Sequence, residues 1–160
     1  KAAKILETNP KIKFTIIGKG QTHKKILELY NQLNLKNIKF IDWVPYDKLP
    51  IEINKSDICL GGHFGLGDKA GRVIPNKTFQ MIATKKPVIV SNSIASKEGG
   101  LINNKNSLFC ERGNTKEIVD KINKLIQDKK LSQDISENGY NIYKEKYSID
   151  AIGKKTKELI

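Results

Sequence analysis

Short apolar runs alternate with helix-length periodic segments along almost the whole chain, and this alternation narrows the fold more than any other feature. Lys13–Ile17, Ile38–Ile41, Asp57–Leu60, Pro87–Val90 and Ser107–Cys110 read as strands. Pro87-Val-Ile-Val90 is apolar from end to end, as a strand covered on both faces must be. Residues 23–34 read as a helix, with Ile26, Leu27, Leu29, Tyr30 and Leu33 on its apolar side. Residues 115–127 repeat the pattern with Ile118, Val119, Ile122, Leu125 and Ile126 on one stripe. A short helix is expected over roughly 46–54, one from Pro75 to about Lys85, one over roughly 130–146, and a last one from near Ser148. Strands alternating with helices need crossover connections, which predicts an α/β class: a Rossmann-like parallel sheet flanked by helices. Ligands of such sheets bind beyond the carboxyl ends of the strands. The loops 18–20, 43–45 and 61–75 leave those ends and are expected to converge on one crevice.

At 160 residues the chain fits a single domain. No apolar run approaches the roughly 18–20 residues of a membrane helix, and the N-terminal residues lack the apolar stretch of a signal peptide. A cytoplasmic domain is the expectation. Lys1 already lies in a helix-like pattern, so the chain is read as a piece of something longer. The 29 basic residues outweigh 17 acidic ones, for a formal net charge of +12. That balance suits nucleic acid, an anionic membrane surface or a phosphate-bearing ligand. Yet every basic residue except Arg72 and Arg112 is lysine, and arginine is the residue that reads bases and phosphates bidentately. Ile (23 residues) and Asn (14) rise together with Lys while Ala falls to 6, as an AT-rich coding sequence would produce. The expectation is a solvated lysine surface, without specific nucleic-acid binding but compatible with peripheral attachment to an anionic membrane. Cys59 and Cys110 stand apart in apolar runs, with no C-x-x-C and no ligand spacing to His23 or His63. Buried reduced thiols are expected, and no metal site.

The candidate binding residues lie in the loops. Gly18-Lys19-Gly20 follows a strand and precedes a helix, where glycines let backbone N–H groups approach a phosphate. With two glycines and no Walker Lys-Ser pair, a plain turn fits as well. At about 100° per residue, Phe79, Ile82 and Ala83 face one side, the expected core, while Asn76, Lys77, Gln80 and Thr84 share an adjoining arc. An amide, an ammonium and a second amide at a helix start suit a ligand with hydroxyls and phosphates. Capping by Asn76, with Lys77 and Gln80 merely solvated, fits the same spacing. The segment Gly61–Gly71 is too long and glycine-rich for a minimal connection, a property common in functional loops. His63 in that loop is a candidate acid/base group or sugar contact, although an ordinary loop histidine fits as well. Arg72 behind it is placed to grip a carboxylate or phosphate.

These residues resemble a known family. Phe14-Thr-Ile-Ile-Gly-Lys-Gly20, Ile41-Asp-Trp-Val-Pro45 and Ser56-Asp-Ile-Cys-Leu60 are similar, in order, to segments of the C-terminal domain of GT-B glycosyltransferases, most of all the retaining family-four group. Arg72-Val-Ile-Pro-Asn-Lys-Thr-Phe-Gln-Met-Ile-Ala-Thr-Lys-Lys-Pro-Val-Ile89 resembles that group's most recognisable segment, and Asn106–Asn114 its "NGLLF…GD" stretch. The resemblance implies a domain, spanning 1–160, that binds a nucleotide diphosphate sugar, with no cofactor and no metal. A glycan or lipid-linked acceptor would be held by an N-terminal domain absent from this chain. It places Gly18, Lys19 and Gly20 at the diphosphate and Trp43, Val44 and Pro45 at the base, with Asn76, Lys77 and Gln80 also on the donor. Lys19, Arg72 and Lys77 become the candidates for leaving-group stabilisation.

The departures are specific. The family often carries two glutamates eight positions apart, the first near the transferred sugar and the second on the ribose. Here those positions hold Arg72 and Gln80. The usual role of the first glutamate does not transfer to an arginine, whereas the Gln80 amide can still bond a diol. The family's domain also opens with a "hhhhGR" strand and a Lys-Gly pair, and this chain starts beyond them, so a central strand is expected to be missing and the 160 residues alone inactive. A GT-B nucleotide-sugar epimerase, or a non-catalytic basic module for RNA or anionic lipid, are the competing readings.

Overall fold

A computed structural model describes residues 1–159, and its strands and helices alternate as the apolar pattern requires. The chain divides into two compact units, Lys1–Leu49 and Pro50–Ile160.

In the first unit, helix α1 (Ala2–Ile5) runs into a 3-10 turn at Leu6–Thr8, followed by strand β1 (Phe14–Ile17), helix α2 (His23–Gln32) and strand β2 (Ile38–Ile41). The strands pair parallel in register, Phe14 with Ile38 through Ile17 with Ile41. Tyr30 of α2 meets the ring of Phe40 edge-on at 5.2 Å, which seats the helix on the ladder. Buried Asn37 donates from Nδ2 to the Ala3 carbonyl at 2.9 Å, and the Lys36 N–H donates to Glu7 Oε1 at 2.6 Å. A 3-10 turn at Tyr46–Lys48 leads into helix α3 (Leu49–Asn54), which belongs to the second unit from Pro50 onward.

The second unit carries β3 (Cys59–Gly62), α4 (Lys69–Arg72), α5 (Asn76–Ala83), β4 (Val88–Ser91), α6 (Ile94–Glu98), β5 (Leu108–Cys110), α7 (Thr115–Gln127), α8 (Lys129–Ile142) and α9 (Ile149–Glu158). Strands β3, β4 and β5 form a parallel ladder in that order. Val88, Ile89 and Val90 are almost wholly removed from solvent, as an apolar central strand under helices should be. Ile82, Leu125 and Ile135 bring α5, α7 and α8 onto the same core. Asn114 caps α7 by accepting from the Glu117 N–H at 3.1 Å, and Ser148 caps α9 by accepting from the Ala151 N–H at 3.2 Å.

The expected parallel α/β class is what the chain adopts, with its described strands in two ladders, β1-β2 and β3-β4-β5. No ladder among the described residues pairs a strand of one group with a strand of the other. The third strand lies two residues later than expected and takes in Gly61 and Gly62, and the short helices α4 and α6 were not expected at all. Neither exceeds five residues, too few turns for a periodic signal. Cys59 and Cys110 are free and buried, and burial pushes their thiols up to about 11 and about 12. Among the described residues no helix is long and apolar enough to cross a membrane.

Candidate functional site

In the first unit the loop 18–20 turns sharply at Gly18, whose φ of +104° is a conformation that side chains resist. The Gly18 N–H donates to the Ile41 carbonyl at 2.9 Å, tying the loop to the end of β2. A Cβ added at Gly18 or Gly20 would meet nothing within 4 Å, so the backbone here faces open space. Lys19 Nζ lies 2.7 Å from Asp42 Oδ2, an exposed pair that steadies the lysine beside the loop. Trp43 follows Asp42 and is 74% exposed. Val44 is half-buried, and Pro45 opens the 3-10 turn. Loop 18–20 and Trp43 thus extend from the carboxyl ends of adjacent strands of one ladder, as the sequence placed them.

In the second unit the site grows from the contact of β3 with α5. A Cβ at Gly61 would lie 2.9 Å from Thr78 Oγ1 and 2.9 Å from Val88 Cγ1, so only glycine lets the helix approach the strand this closely. Thr78 uses the space by donating from Oγ1 to the Gly61 carbonyl at 3.1 Å. Gly62 follows with φ +64°, and the position of its absent Cβ lies 3.1 Å from Lys77 Nζ. Lys77 is an exposed residue overall, but the end of its side chain lies against the Gly62 backbone, and desolvation there holds its pKa below the ordinary lysine range. Asn76 is exposed at the first residue of α5, Gln80 is half-buried one turn on, and Pro75 stands at the cap position with no side-chain cap bond. The helix therefore starts with uncapped N–H groups beside an ammonium, an arrangement that attracts anions.

Three expectations need correction. Asn76 does not cap α5, because it is already inside the helix. The side of α5 that reaches the core is Thr78 with Ile82, while Phe79 and Ala83 are half-buried: Gly61 admits the small threonine, and Phe79 turns its ring to Tyr147 at 4.3 Å. Thr84 does not continue the arc of Asn76, Lys77 and Gln80, since it is the C-cap residue past the end of α5, where its Oγ1 donates to the Met81 carbonyl at 2.8 Å. Arg72 ends α4 and is exposed, 3.9 Å from Asp68 across one helical turn.

Arg112, outside the residues that the sequence motifs mark, organises the glycine-rich loop. Its Nη1 donates to the Gly67 carbonyl at 3.0 Å, and it lies 3.2 Å from where a Gly71 Cβ would be. The Gly113 N–H donates to the Phe64 carbonyl at 2.7 Å. The available signal was the scarcity of arginine together with its place just past a strand's carboxyl end.

Residues 1–142 match the family described as glycosyl transferases group 1. The uncharacterized glycosyltransferase MJ1178 of Methanocaldococcus jannaschii is 26% identical over 132 residues, which cover 79% of this chain and 34% of that protein. The chain thus spans about a third of the curated relative it matches. Among solved structures, the C-terminal domain of a glycosyl transferase group 1 family protein, LpcC, from Francisella tularensis superposes with a TM-score of 0.73 at 26% identity, over 92% of this chain and 76% of that one. The Anabaena protein Alr3699/HepE, crystallised with UDP-glucose, shares the fold with a TM-score of 0.80 at 17% identity, over 99% of this chain and 43% of its own length. With a match covering most of its length, and with the α/β architecture of GT-B C-terminal domains, this chain belongs to the glycosyl transferases group 1 family.

Proposed function

We propose that residues 1–160 are the donor-binding domain of a longer, two-domain glycosyltransferase that moves a hexose from a nucleotide diphosphate sugar to a glycan or lipid acceptor with retention and without a metal. The observation that carries this reading is the Lys77 ammonium, partly desolvated over the Gly62 backbone at the uncapped start of α5. A cation in that state gains more from an anion than a solvated lysine does. Family membership narrows the anion to the diphosphate of a sugar donor, and the UDP-glucose in Alr3699/HepE supports that choice.

In transfer, the bond from the anomeric carbon to the diphosphate oxygen breaks and its electron pair stays on the diphosphate. The acceptor hydroxyl oxygen forms the new bond to the anomeric carbon, and its proton passes to the departing diphosphate oxygen. The chain's contribution is to stabilise the departing charge and hold the donor still. Lys77 acts on the diphosphate, Gly18 and Gly20 supply open backbone for phosphate oxygens, and Lys19 and Arg72 add positive charge. Trp43, Val44 and Pro45 serve the base. Gln80 serves the ribose diol, and Asn76 completes the polar arc. Peripheral attachment to the cytoplasmic face of an anionic membrane belongs to this reading, supported by the +12 charge and by the roughly 1 kcal/mol each nearby lysine contributes.

The full-length protein, incubated with UDP-sugars and a panel of glycan and lipid acceptors, should give a glycosylated product whose anomeric linkage by NMR matches that of the donor. Inverted linkage would remove retention from the reading. Turnover of donor in the absence of acceptor would replace transferase with epimerase.

A further inference from the structure

A cleft of about 580 Å³ lies within the second unit at the carboxyl ends of β4 and β5. It shares no lining residue with loop 61–75 or with α5. Its volume falls within the roughly 300–1,000 Å³ typical of small-molecule sites.

The cleft combines three kinds of surface. Leu101 and Phe109 form a buried apolar floor, 2% and 7% exposed. Lys97 from the last turn of α6 and Lys121 from α7 contribute ammonium groups. Neither enters an ion pair, since the pairs among the described residues use other basic groups. Glu111, just past β5, contributes a carboxylate that is held in place: Asn92 donates to its Oε1 from Nδ2, and the Asn92 N–H is itself anchored on the Cys110 carbonyl at 2.8 Å. The Glu111 N–H is fixed in turn by Glu117 Oε2 at 2.8 Å. The backbone and side chain of Glu111 are therefore set before any ligand arrives.

The lining holds two lysines outside the described ion pairs and two carboxylates, of which Glu117 is already engaged through both oxygens by the Glu111 N–H and Asn114 Nδ2. With Glu111 as hydroxyl acceptor and the apolar floor, this suits a small ligand with one anionic end, hydroxyls and an apolar face. The two carboxylates of the lining disfavour a polyanion, which would have to bring charge against them. An uncharged apolar ligand would leave the polar walls unpaired. We propose that this cleft binds a sugar bearing a single anionic group, its phosphate or carboxylate between Lys97 and Lys121, a hydroxyl on Glu111, and a ring face over Leu101 and Phe109. The proposal does not rest on the donor reading, because its residues are separate from those assigned to the donor.

Calorimetric titration of the full-length protein with glucose 6-phosphate, glucuronate, glucose and inorganic phosphate tests it. At least one of the two anionic sugars should bind, and whichever does identifies the anion. Glucose and inorganic phosphate should each bind at least about tenfold more weakly, having lost one half of the recognition. Lys97→Ala and Lys121→Ala should each weaken the anionic sugar by about tenfold, the loss of one charge-assisted bond. Glu111→Gln should weaken it without changing the response to phosphate alone. Lys77→Ala should leave it unchanged, and saturating UDP should not displace it. No binding of either anionic sugar, equal binding of inorganic phosphate, or displacement by UDP would each overturn the proposal. The last result would locate the ligand in the donor site instead.

Discussion

Arg112 Nη1 donates to the Gly67 carbonyl oxygen at 3.0 Å, joining residues 45 positions apart in sequence. The same turn beyond β5 holds the loop twice more. The Gly113 N–H reaches the Phe64 carbonyl at 2.7 Å, and Leu66 Cδ2 lies 3.0 Å from the position of the missing Gly113 Cβ. A glycine-rich segment has much conformational freedom to lose, so ordering it needs contacts from elsewhere. These contacts come from a neighbouring strand's end.

Arg112→Ala should therefore act locally. The bond is exposed, so the change in global stability should stay below about 1 kcal/mol, while the loop 63–72 should be cut more readily by a protease of broad specificity. Limited proteolysis followed by mass spectrometry measures this directly. Cleavage in that segment at the wild-type rate would show that Arg112 does not hold the loop.

Gly61→Ala tests the contact of β3 with α5. The new methyl would lie 2.9 Å from both Thr78 Oγ1 and Val88 Cγ1, closer than packed atoms tolerate, and Val88 is fully buried. Overpacking of this kind costs about 1–3 kcal/mol. Val88→Ala makes a cavity when introduced alone, but should be less damaging on top of Gly61→Ala because it clears space for the methyl. A denaturation cycle over the wild type, both single variants and the double variant should give a favourable coupling. Additive losses would mean that the helix simply moves away.

Much of the fold was legible because its signals were periodic. Thr115–Gln127 carries a continuous apolar stripe, and the helix occupies those residues. Ile38–Ile41 likewise emerged as expected, with β-branched and aromatic residues bounded by turn residues. What resisted reading was pairwise. Thr78 goes to the core in place of Phe79 only because Gly61 opposes it, and no pattern within α5 encodes a glycine 17 residues earlier. Lys77 and Gln80 were identifiable as an arc, but the feature that distinguishes Lys77 from a solvated lysine is the backbone of Gly62 beneath it. The Arg112 contact was hidden for the same reason, since its partner is a carbonyl oxygen and carries no side-chain signature.

Glu7 gives the first unit a defined acid sensitivity. Its carboxylate accepts from Lys4 Nζ at 2.7 Å and from the Lys36 N–H at 2.6 Å, and these bonds, the lysine's first, hold its pKa below the usual value. A depressed folded-state pKa contributes stability above the unfolded value, near 4.3, and loses it as pH falls through the folded value. Glu7→Gln should flatten that part of the curve of stability against pH while leaving the rest parallel to wild type. Urea denaturation across the acid range provides the measurement, and an unchanged acid limb would remove Glu7 from the account.

Lys77 and Gln80 make the decisive pair for the donor site. If Lys77 meets a diphosphate, Lys77→Ala in the full-length protein should weaken UDP by roughly ten- to a hundredfold, the equivalent of a charge-assisted bond of about 1.5–3 kcal/mol. It should leave uridine nearly unaffected. Gln80→Ala should cost less, about 0.5–1.5 kcal/mol, and should weaken uridine as well, because the ribose is common to both ligands. The pH dependence adds a third arm. Burial lowers the pKa of Lys77 in the free protein, and a bound diphosphate stabilises its charged form, so binding takes up protons as pH approaches that lowered value. UDP affinity should therefore fall as pH rises through a range below the ordinary lysine value of about 10.4. Lys77→Arg, charged throughout that range, should abolish this fall even if the shape of its guanidinium weakens binding overall. A fall that persists in Lys77→Arg would assign the titration to another group, and UDP binding indifferent to all three substitutions would leave α5 as an ordinary solvated helix start.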